Sequence, residues 1–396
     1  MDGPIISFDV SKGSSHMRGF LKADSPEGKP ARIGHDREGF GKIADLATRI
    51  GKKAGKRPAA VLEATGVYSM PIVAYLLSEG YTVYMVSPLE SARMRKSEVR
   101  PVKNDRIDTT TIARVYYSRT LREFSLQTGK LARLREMASH YRFLVEKGSM
   151  ERNRFRRCLD AVWPGFDEVL AYDSDVALAV VRRFRHPSRV KKAEGVSKAI
   201  SKCRCGKGGS RDRIAGKVVE YAGTHVSGVD PDSHMVDELV WLAGAVEDTS
   251  RDIEELLGRM EGLCTGLPEY EVLKTIPSAG GRLGVRLLAG IGDIRRFESA
   301  KALVAYAGLD PMVMQSGRQT GEHMHITKKG DAFLRATLYL LVACICRHHP
   351  DSRIAKYVSD KRKGGLTLKA ARIAGCNKLA RTIYAMLTRG TVYSEG

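Results

Sequence analysis

The sequence predicts a chain in two parts, an α/β domain followed by a mainly helical remainder. Short apolar runs alternate with amphipathic helical stretches over residues 4–125. Helical spacing, including a heptad pattern, dominates the chain after residue 126. With 396 residues, of which 43% are hydrophobic and 28% charged, the chain is long enough for two or three packed domains.

The N-terminal part reads as three strands followed by helix, strand, helix, strand and helix. The three early strands are expected in the segments PIISFDV, MRGFLK and ARI, and the first helix in EGFGKIADLATRIGKK. Two short buried strands, AAVLEA and YTVYMV, flank the helix SMPIVAYLLSEG, which has Pro71 in its first turn and Gly80 after its end. The last helix is NDRIDTTTIARVYYS, capped by Asn104 or Asp105. This element order is that of a ribonuclease-H-like domain.

The middle of the chain is predicted to be helical. Residues 130–160 show helical spacing, and residues 235–264 carry an a/d seam of four heptads that predicts a coiled-coil helix. The seam packs either against residues 130–160 or between protomers, and the pattern leaves both open. Residues 182–217 hold thirteen Lys and Arg against two acids, so we expect a basic element that is loop-like or that orders on its partner. A solvated linker is the alternative.

The C-terminal part is predicted to be compact and helical over residues 269–346, and one or two basic helices are expected in residues 353–389. Its segment LKTIPSAGGRLGVRLLAGIGD resembles a helix-hairpin-helix. Such a turn offers backbone N–H groups to a DNA phosphate without reading sequence.

The charge of the chain predicts a polyanionic partner. Sixty-six Lys and Arg against 45 Asp and Glu give a net charge of +21 and a pI near 9.7. Nucleic acid is favoured over a membrane surface, because no basic helix with a bulky apolar face is evident. No run of 18 apolar residues and no secretory signal occur, and the seven cysteines are scattered. We therefore expect a cytoplasmic protein without a membrane span.

Four acids are predicted to converge. Asp9 ends the first strand, Glu63 ends AAVLEA, and Asp105 and Asp108 share one face of the last helix. In a ribonuclease-H-like sheet the first and fourth strands are neighbours and the last helix packs across them. Such carboxylates bind Mg²⁺, or Mn²⁺ as an alternative, and two ions can serve phosphoryl transfer. The plainer interpretation is that these acids stabilise a helix N-terminus or lie in turns at strand ends, without binding a metal.

A serine in a glycine-rich stretch is the candidate nucleophile. Ser316 lies between Gln315 and Gly317, and its hydroxyl can attack a phosphodiester if a base or metal activates it. An ordinary turn serine is the alternative. The cations expected to contact phosphate are Lys103, Arg106, Arg318, Lys328, Lys329 and Arg335. A zinc site at Cys203 and Cys205 is not expected, because their spacing is too short.

Seven segments stand in the order FDVSK, LEATGVY, KNDRIDTTTIA, IPSAGG, FESAKALVAYAGLDP, QSG and ITKKGDAFLR. Together they resemble the transposases and recombinases of the IS110 insertion sequences, which include the Piv-type DNA invertases. The resemblance covers about residues 1–160 and 270–350. It implies a nucleophilic serine at Ser316 in a C-terminal transposase domain, and a RuvC-like N-terminal domain whose Mg²⁺ ligands are Asp9, Glu63, Asp105 and Asp108.

The resemblance also implies how such a protein works. DNA is cut through a phosphoserine link, at a composite site where the serine of one subunit meets the acids of another in a tetramer, a dimer of dimers. Some members are directed to donor and target DNA by a bridge RNA. The chain departs from the family pattern at Ala64, Asn104, Ser278 and Ala279, where Ser, Thr and Gly-Ile are usual. None of these changes removes an acid or the serine.

The sequence therefore predicts a DNA transposase or recombinase, in four parts. They are a RuvC-like domain, a helical and coiled-coil region with a basic insert, a serine transposase domain and basic C-terminal helices, over residues 1–125, 126–268 (insert 182–217), 269–350 and 351–396. Two alternatives stay open: a RuvC-like metal-dependent, structure-specific nuclease that uses water, and a non-catalytic nucleic-acid-binding protein.

Overall fold

The computed structural model describes most of the chain and divides it into two compact units, Met1–Gln127 and Thr128–Gly396. The described residues are 1–96, 105–121, 123–124, 129–203, 209–311, 315–316, 319–320 and 326–395. The backbone alone is described for residues 105–107, 209, 315, 316, 319 and 320.

The first unit is a mixed α/β structure. Its elements are β1 (Ile5–Ser11), β2 (Ser14–Lys22), β3 (Ser25–Gly34), α1 (Arg37–Ala54), β4 (Ala59–Glu63), α2 (Met70–Ser78), β5 (Val83–Val86), α3 (Pro88–Lys96) and α4 (Asp105–Ser118). The expected strands and helices are confirmed in their expected order. Helix α3, which lies between the last strand and the last helix, was not predicted.

The sheet has the order β3-β2-β1-β4-β5. Strand β1 is antiparallel to β2 and parallel to β4, so the expectation that the first and fourth strands are neighbours is confirmed. Alternate residues of β1 enter two different cores, since successive side chains of a strand face opposite ways. Ile6 and Phe8 pack with Ile43 of α1, whereas Ile5 packs with Ile112 of α4. The last helix therefore covers one face of the central strands, as expected.

The second unit is helical apart from a short two-stranded ribbon. Its elements are α5 (Gly129–Val162), α6 (Asp175–Phe184), α7 (Ala193–Ala199), α8 (Gly209–Thr224), α9 (His234–Cys264), α10 (Pro268–Lys274), α11 (Arg282–Ile291), α12 (Ala300–Tyr306), β6 (Gln315–Ser316), β7 (Gln319–Thr320), α13 (Ala332–His348), α14 (Arg353–Lys363) and α15 (Leu368–Arg389). Helices α14 and α15 confirm the expected basic C-terminal helices. No described helix is long and apolar enough to span a membrane.

The heptad seam lies on α9, and its partner within the chain is α5. Thr249 donates a hydrogen bond to Glu151 Oε2 at 2.7 Å, and Lys130 reaches the carbonyl of Thr265 at 3.5 Å. These contacts set the two helices antiparallel. Most positions of the seam are buried. They are Val236, Leu239, Ala243, Val246, Leu257, Met260 and Cys264. The structure thus selects the intramolecular packing of the two that the sequence left open.

The loop-like interpretation of the basic insert 182–217 is wrong for the residues that the structure describes there. Most of residues 182–203 and 209–217 belong to α6, α7 and α8 or to short turns between them. Val196, Ile200 and Ala215 are fully buried in a core that also holds Trp163. The few apolar residues of the insert suffice because they fall at helical spacing and share a core with longer neighbouring helices.

Helices α10 and α11 are joined by the IPSAGG turn, in which Ser278 has a φ of 62°. The left-handed region costs an L-residue about 1–2 kcal/mol, whereas glycine adopts it freely. Gly281, at the start of α11, also has a positive φ of 53°.

Replacing Ser278 by glycine should therefore stabilise the protein by about 0.5–1 kcal/mol, after the larger chain entropy of an unfolded glycine is deducted. Urea unfolding measures the change. The control is Ala279→Gly, one residue further on, where φ is not positive and the buried methyl group is lost; it should destabilise. A destabilising Ser278→Gly would show that the strain is not stored at this turn.

Candidate active site

The carboxyl ends of β1 and β4 bring two of the predicted acids side by side. Phe8 is the register partner of Leu62, so the next residues of the two strands are Asp9 and Glu63. Both acids are half-buried. The two-residue period of a strand puts them on the same face as Ile5 and Val61, which pack against α4. Asp9 and Glu63 therefore lie at one edge of the sheet, on the side that α4 covers.

Helix α4 runs antiparallel to β1 and brings its N-terminal turns to this edge. Near its end, the hydroxyl of Tyr117 donates to the carbonyl of Gly3, before β1 begins, at 2.9 Å. Further back, Thr110 accepts a hydrogen bond from Arg18 at 3.3 Å, and Arg18 is the register partner of Ser7. The residues that precede Thr110 on α4 thus continue towards Asp9.

Asp108 lies on this part of α4 and is only 9% exposed. Its Oδ1 accepts a hydrogen bond from Arg95 Nη1 at 2.7 Å, which forms an ion pair between α3 and α4. The sequence analysis assigned no role to Arg95, because α3 itself was missed. Two signals were present: Glu90 in the first turn and basic residues in the last turn, both of which favour a helix.

The described acids share an edge and a face, but their grouping is not tight. Among the residues whose side chains the structure describes, no three His, Cys, Asp or Glu lie close enough to hold a metal ion. Asp105 is the first residue of α4, one turn before Asp108, and its side chain lies outside the described part. In donor chemistry the set fits a hard divalent cation, since every predicted ligand is a carboxylate.

Ser316 lies at the end of a short antiparallel ribbon in the second unit. Gln315 pairs with Thr320 and Ser316 with Gln319, so two residues separate the paired strands. A further bridge joins Pro311 to Ile326 at the base of the ribbon. The backbone of Ser316 is thus described, whereas the side chain of Ser316 is not among the described parts of the structure.

The base of this ribbon is held by a close approach of two backbone stretches. Thr327 donates its amide and its hydroxyl to Asp310, at 2.9 and 2.7 Å. A methyl group on Gly330 would lie 2.1 Å from the carbonyl oxygen of Tyr306, so only glycine fits there. Asp331 donates its amide to the same carbonyl at 2.6 Å. These contacts fix the two ends of the segment that carries Ser316. We call the place where Asp310 meets Thr327, and Tyr306 meets Gly330 and Asp331, the foot of the Ser316 ribbon.

The predicted phosphate-binding cations differ in their surroundings. Lys328 and Lys329 are exposed at this foot, and neither forms an ion pair with a described residue. Arg335 is half-buried and donates to the carbonyl of Ala307 at 2.9 Å, so it joins α13 to the end of α12. The remaining three, which are Lys103, Arg106 and Arg318, have side chains outside the described part.

Replacing Arg95 by glutamine should destabilise the protein, because Asp108 would keep its burial and lose its counter-ion. The expected loss is about 1–3 kcal/mol, less than for a fully buried pair because both side chains retain some exposure. Thermal unfolding in EDTA measures it. Arg93→Gln on the same helix, where Arg93 is exposed, is the matched control. Equal effects of the two variants would rule out a specific role for the ion pair.

Two family models match the chain. A model of IS110 transposases, described as a transposase, matches residues 6–164. A second, described as the transposase of the IS116/IS110/IS902 family, matches residues 270–358. Together the two matches span well over half of the chain, and they include all four acids and Ser316.

Individual proteins are similar over shorter or longer stretches. A protein of insertion element IS116 from Streptomyces clavuligerus is 23% identical over 337 residues, which are 82% of this chain and 81% of that protein. The pilin gene-inverting protein of Moraxella bovis is 33% identical over 124 residues, 31% of this chain and 38% of its own length. The transposase for insertion sequence element IS1328 of Yersinia enterocolitica is 29% identical over 163 residues, 39% of this chain and 44% of that protein. The chain therefore belongs to the IS110 family of insertion-sequence transposases.

Proposed function

We propose that this protein is a DNA transposase that cuts and rejoins DNA through a phosphoserine intermediate at Ser316, with Mg²⁺ held by four acids. One observation carries the acid half of the proposal. Helix α4 lies over the paired ends of β1 and β4, so Asp9, Glu63 and Asp108 share one edge and one face of the sheet. Carboxylates that share an edge of a sheet can bind the divalent ions that serve phosphoryl transfer.

The N-terminal unit is assigned a RuvC-like fold of the ribonuclease-H class. Its strand order, with three antiparallel strands followed by two parallel ones, supports this assignment. We also propose that the rest of the chain consists of the helical region 126–268, the serine transposase domain 269–350 and the basic helices 351–396.

In the proposed reaction the Ser316 oxygen attacks phosphorus and loses its proton. A bond from the serine oxygen to phosphorus forms, the bond from phosphorus to the 3′ oxygen breaks, and the 3′ oxygen leaves as a hydroxyl. Mg²⁺, or Mn²⁺, when bound by Asp9, Glu63, Asp105 and Asp108, would favour ionisation of the serine and stabilise the leaving oxygen. Rejoining is the reverse attack by a 3′ hydroxyl, which releases the serine.

The proposed partners are donor and target DNA, a bridge RNA and further copies of the chain, assembled as a dimer of dimers in the cytoplasm of a prokaryote. The net charge of +21 supports a polyanionic partner. The family resemblance supports the RNA and the assembly. Lys103, Arg106, Arg318, Lys328 and Lys329 remain the proposed phosphate contacts, and Arg335 is proposed with them although it also bonds to the backbone.

Replacing Ser316 by alanine should abolish the covalent protein–DNA adduct and leave DNA binding unchanged, because only the attacking oxygen is lost. Denaturing electrophoresis of the protein with labelled insertion-sequence ends detects the adduct, and a mobility shift measures binding. Thr320→Ala, on the paired strand of the same ribbon, should keep the adduct. An adduct that survives in Ser316→Ala would exclude the serine. Cleavage that survives without any adduct would indicate the nuclease that uses water.

Replacing Asp108 by asparagine should reduce strand cleavage by more than the roughly 10–100-fold expected when a group merely supports a metal ligand. Cleavage of the same DNA in Mg²⁺ and in Mn²⁺ measures the loss. Asp24→Asn is the control, since Asp24 is an exposed acid that pairs with Arg114. A cleavage rate in Asp108→Asn close to that of the control would contradict the metal-binding role.

A further inference from the structure

Arg286 on α11 lies on a floor of two aromatic rings. Its guanidinium carbon is 5.5 Å from the ring centroids of both Tyr141 and Phe333, and these two rings are themselves in edge contact. Among the described residues, Arg286 forms no ion pair and its buried Nε has no hydrogen-bond partner. Leaving a partly buried cation without an anion is costly, so a site of this kind favours an anionic ligand.

A second arginine shares the same ring. Arg142 on α5 has its guanidinium carbon 5.7 Å from the centroid of Phe333, and its Nη1 lies 3.5 Å from Asp331 Oδ2. Asp331 is also occupied as the cap of α13, where its Oδ1 accepts from the amide of Leu334 at 2.8 Å. In the described part of the chain, Asp331 is the only acid that pairs with either arginine.

A third arginine joins the cluster through Tyr306. Arg296 lies 4.3 Å from the centroid of that ring and donates to the carbonyl of Ile291 at 3.0 Å. The Tyr306 hydroxyl in turn lies 3.5 Å from Asp331 Oδ2. We term Arg142 and Arg286, which share the Phe333 ring, together with Arg296 beside Tyr306, the arginine platform.

The platform adjoins the foot of the Ser316 ribbon. Asp331, which pairs with Arg142, and Tyr306, which contacts Arg296, are the residues whose backbones meet there, at 2.6 Å from amide to carbonyl. The exposed Lys328 and Lys329 precede Asp331 in the chain, and Lys328 has a positive φ of 53°. Among the described residues, Lys328 and Lys329 therefore lie with the platform close to where the segment that carries Ser316 begins and ends.

We propose that the arginine platform binds a backbone phosphate of the DNA strand that Ser316 attacks, and so positions that strand. A guanidinium fixed on aromatic rings presents its N–H groups in a set plane, which suits two-point binding of a phosphate. Such a contact fixes the register of the strand without reading its bases. The inference rests on the proposed function, since it takes DNA as the substrate and the neighbouring serine as the nucleophile.

The test is the salt dependence of DNA binding by the full chain. Arg286→Gln should weaken binding of a labelled duplex oligonucleotide by about five- to tenfold, and should lower the slope of log affinity against log salt by about one. Fluorescence anisotropy over a NaCl series measures both. Arg251→Gln is the matched control, because Arg251 on α9 is exposed and pairs with Asp248. The control should leave the slope unchanged.

An unchanged slope in Arg286→Gln, or an equal fall in Arg251→Gln, would overturn the proposal. So would a slope that falls for an RNA duplex and not for DNA. If Arg286→Gln unfolds, Arg286→Lys tests the same point: it keeps the charge and hence the slope, but should bind more weakly because the fork is lost. Binding that equals that of the parent protein would overturn the two-point contact. A lowered slope in a protein that forms no Ser316 adduct would keep the phosphate site and reject the serine chemistry.

Discussion

The burial of β1 on both faces is the constraint on which the N-terminal unit depends. Ile5 packs under α4 and Phe8 under α1, so an unpaired carboxylate within the strand would have to leave water at a cost of several kcal/mol. Asp9 lies towards the carboxyl end of the strand and is only half-buried, so its carboxylate keeps contact with water. The same holds for Glu63 on β4, which is parallel to β1. Parallel pairing then brings two separately constrained acids to one edge.

The two units handle charge in opposite ways, and both ways suit phosphodiester chemistry. In the first, carboxylates gather and Arg95 neutralises the most deeply buried of those described, Asp108. In the second, Arg142 and Arg286 lie against the Phe333 ring, and Asp331 is the only described acid that pairs with either of them. Under the proposed function, the acids would bind divalent cations and the arginines would bind phosphate, and these are the two electrostatic components that phosphoryl transfer requires. Each unit would supply one of them.

The second unit is organised by α5 and α9, which extend through two hydrophobic cores. One end of α5 contributes Leu134 and Tyr141 to the core that supports α11 and α13. Its other end contributes Phe155 to the core that holds the basic insert. Trp163, which directly follows α5, lies in the same core. The described residues of the insert therefore belong to the folded body and do not form a tether. The platform arginines depend on the same arrangement, because Phe333 and Tyr141 come from different helices and meet only when α5, α11 and α13 pack.

Periodicity determined the element order of the N-terminal unit, the heptad face of α9 and the two C-terminal helices, because those features depend on local spacing. The segment motifs indicated the family, the acids and Ser316. Packing alone decided the rest. The heptad pattern left the partner of the α9 seam open. The insert has few apolar residues, so its composition did not predict that it contributes to a core. Arg95 is thirteen positions from Asp108, and nothing in the sequence indicates that the two side chains form an ion pair. Arg286 likewise reads as one basic residue among many. Its ring floor comes from residues far away in the chain, and contacts of that kind leave no periodic trace in the sequence.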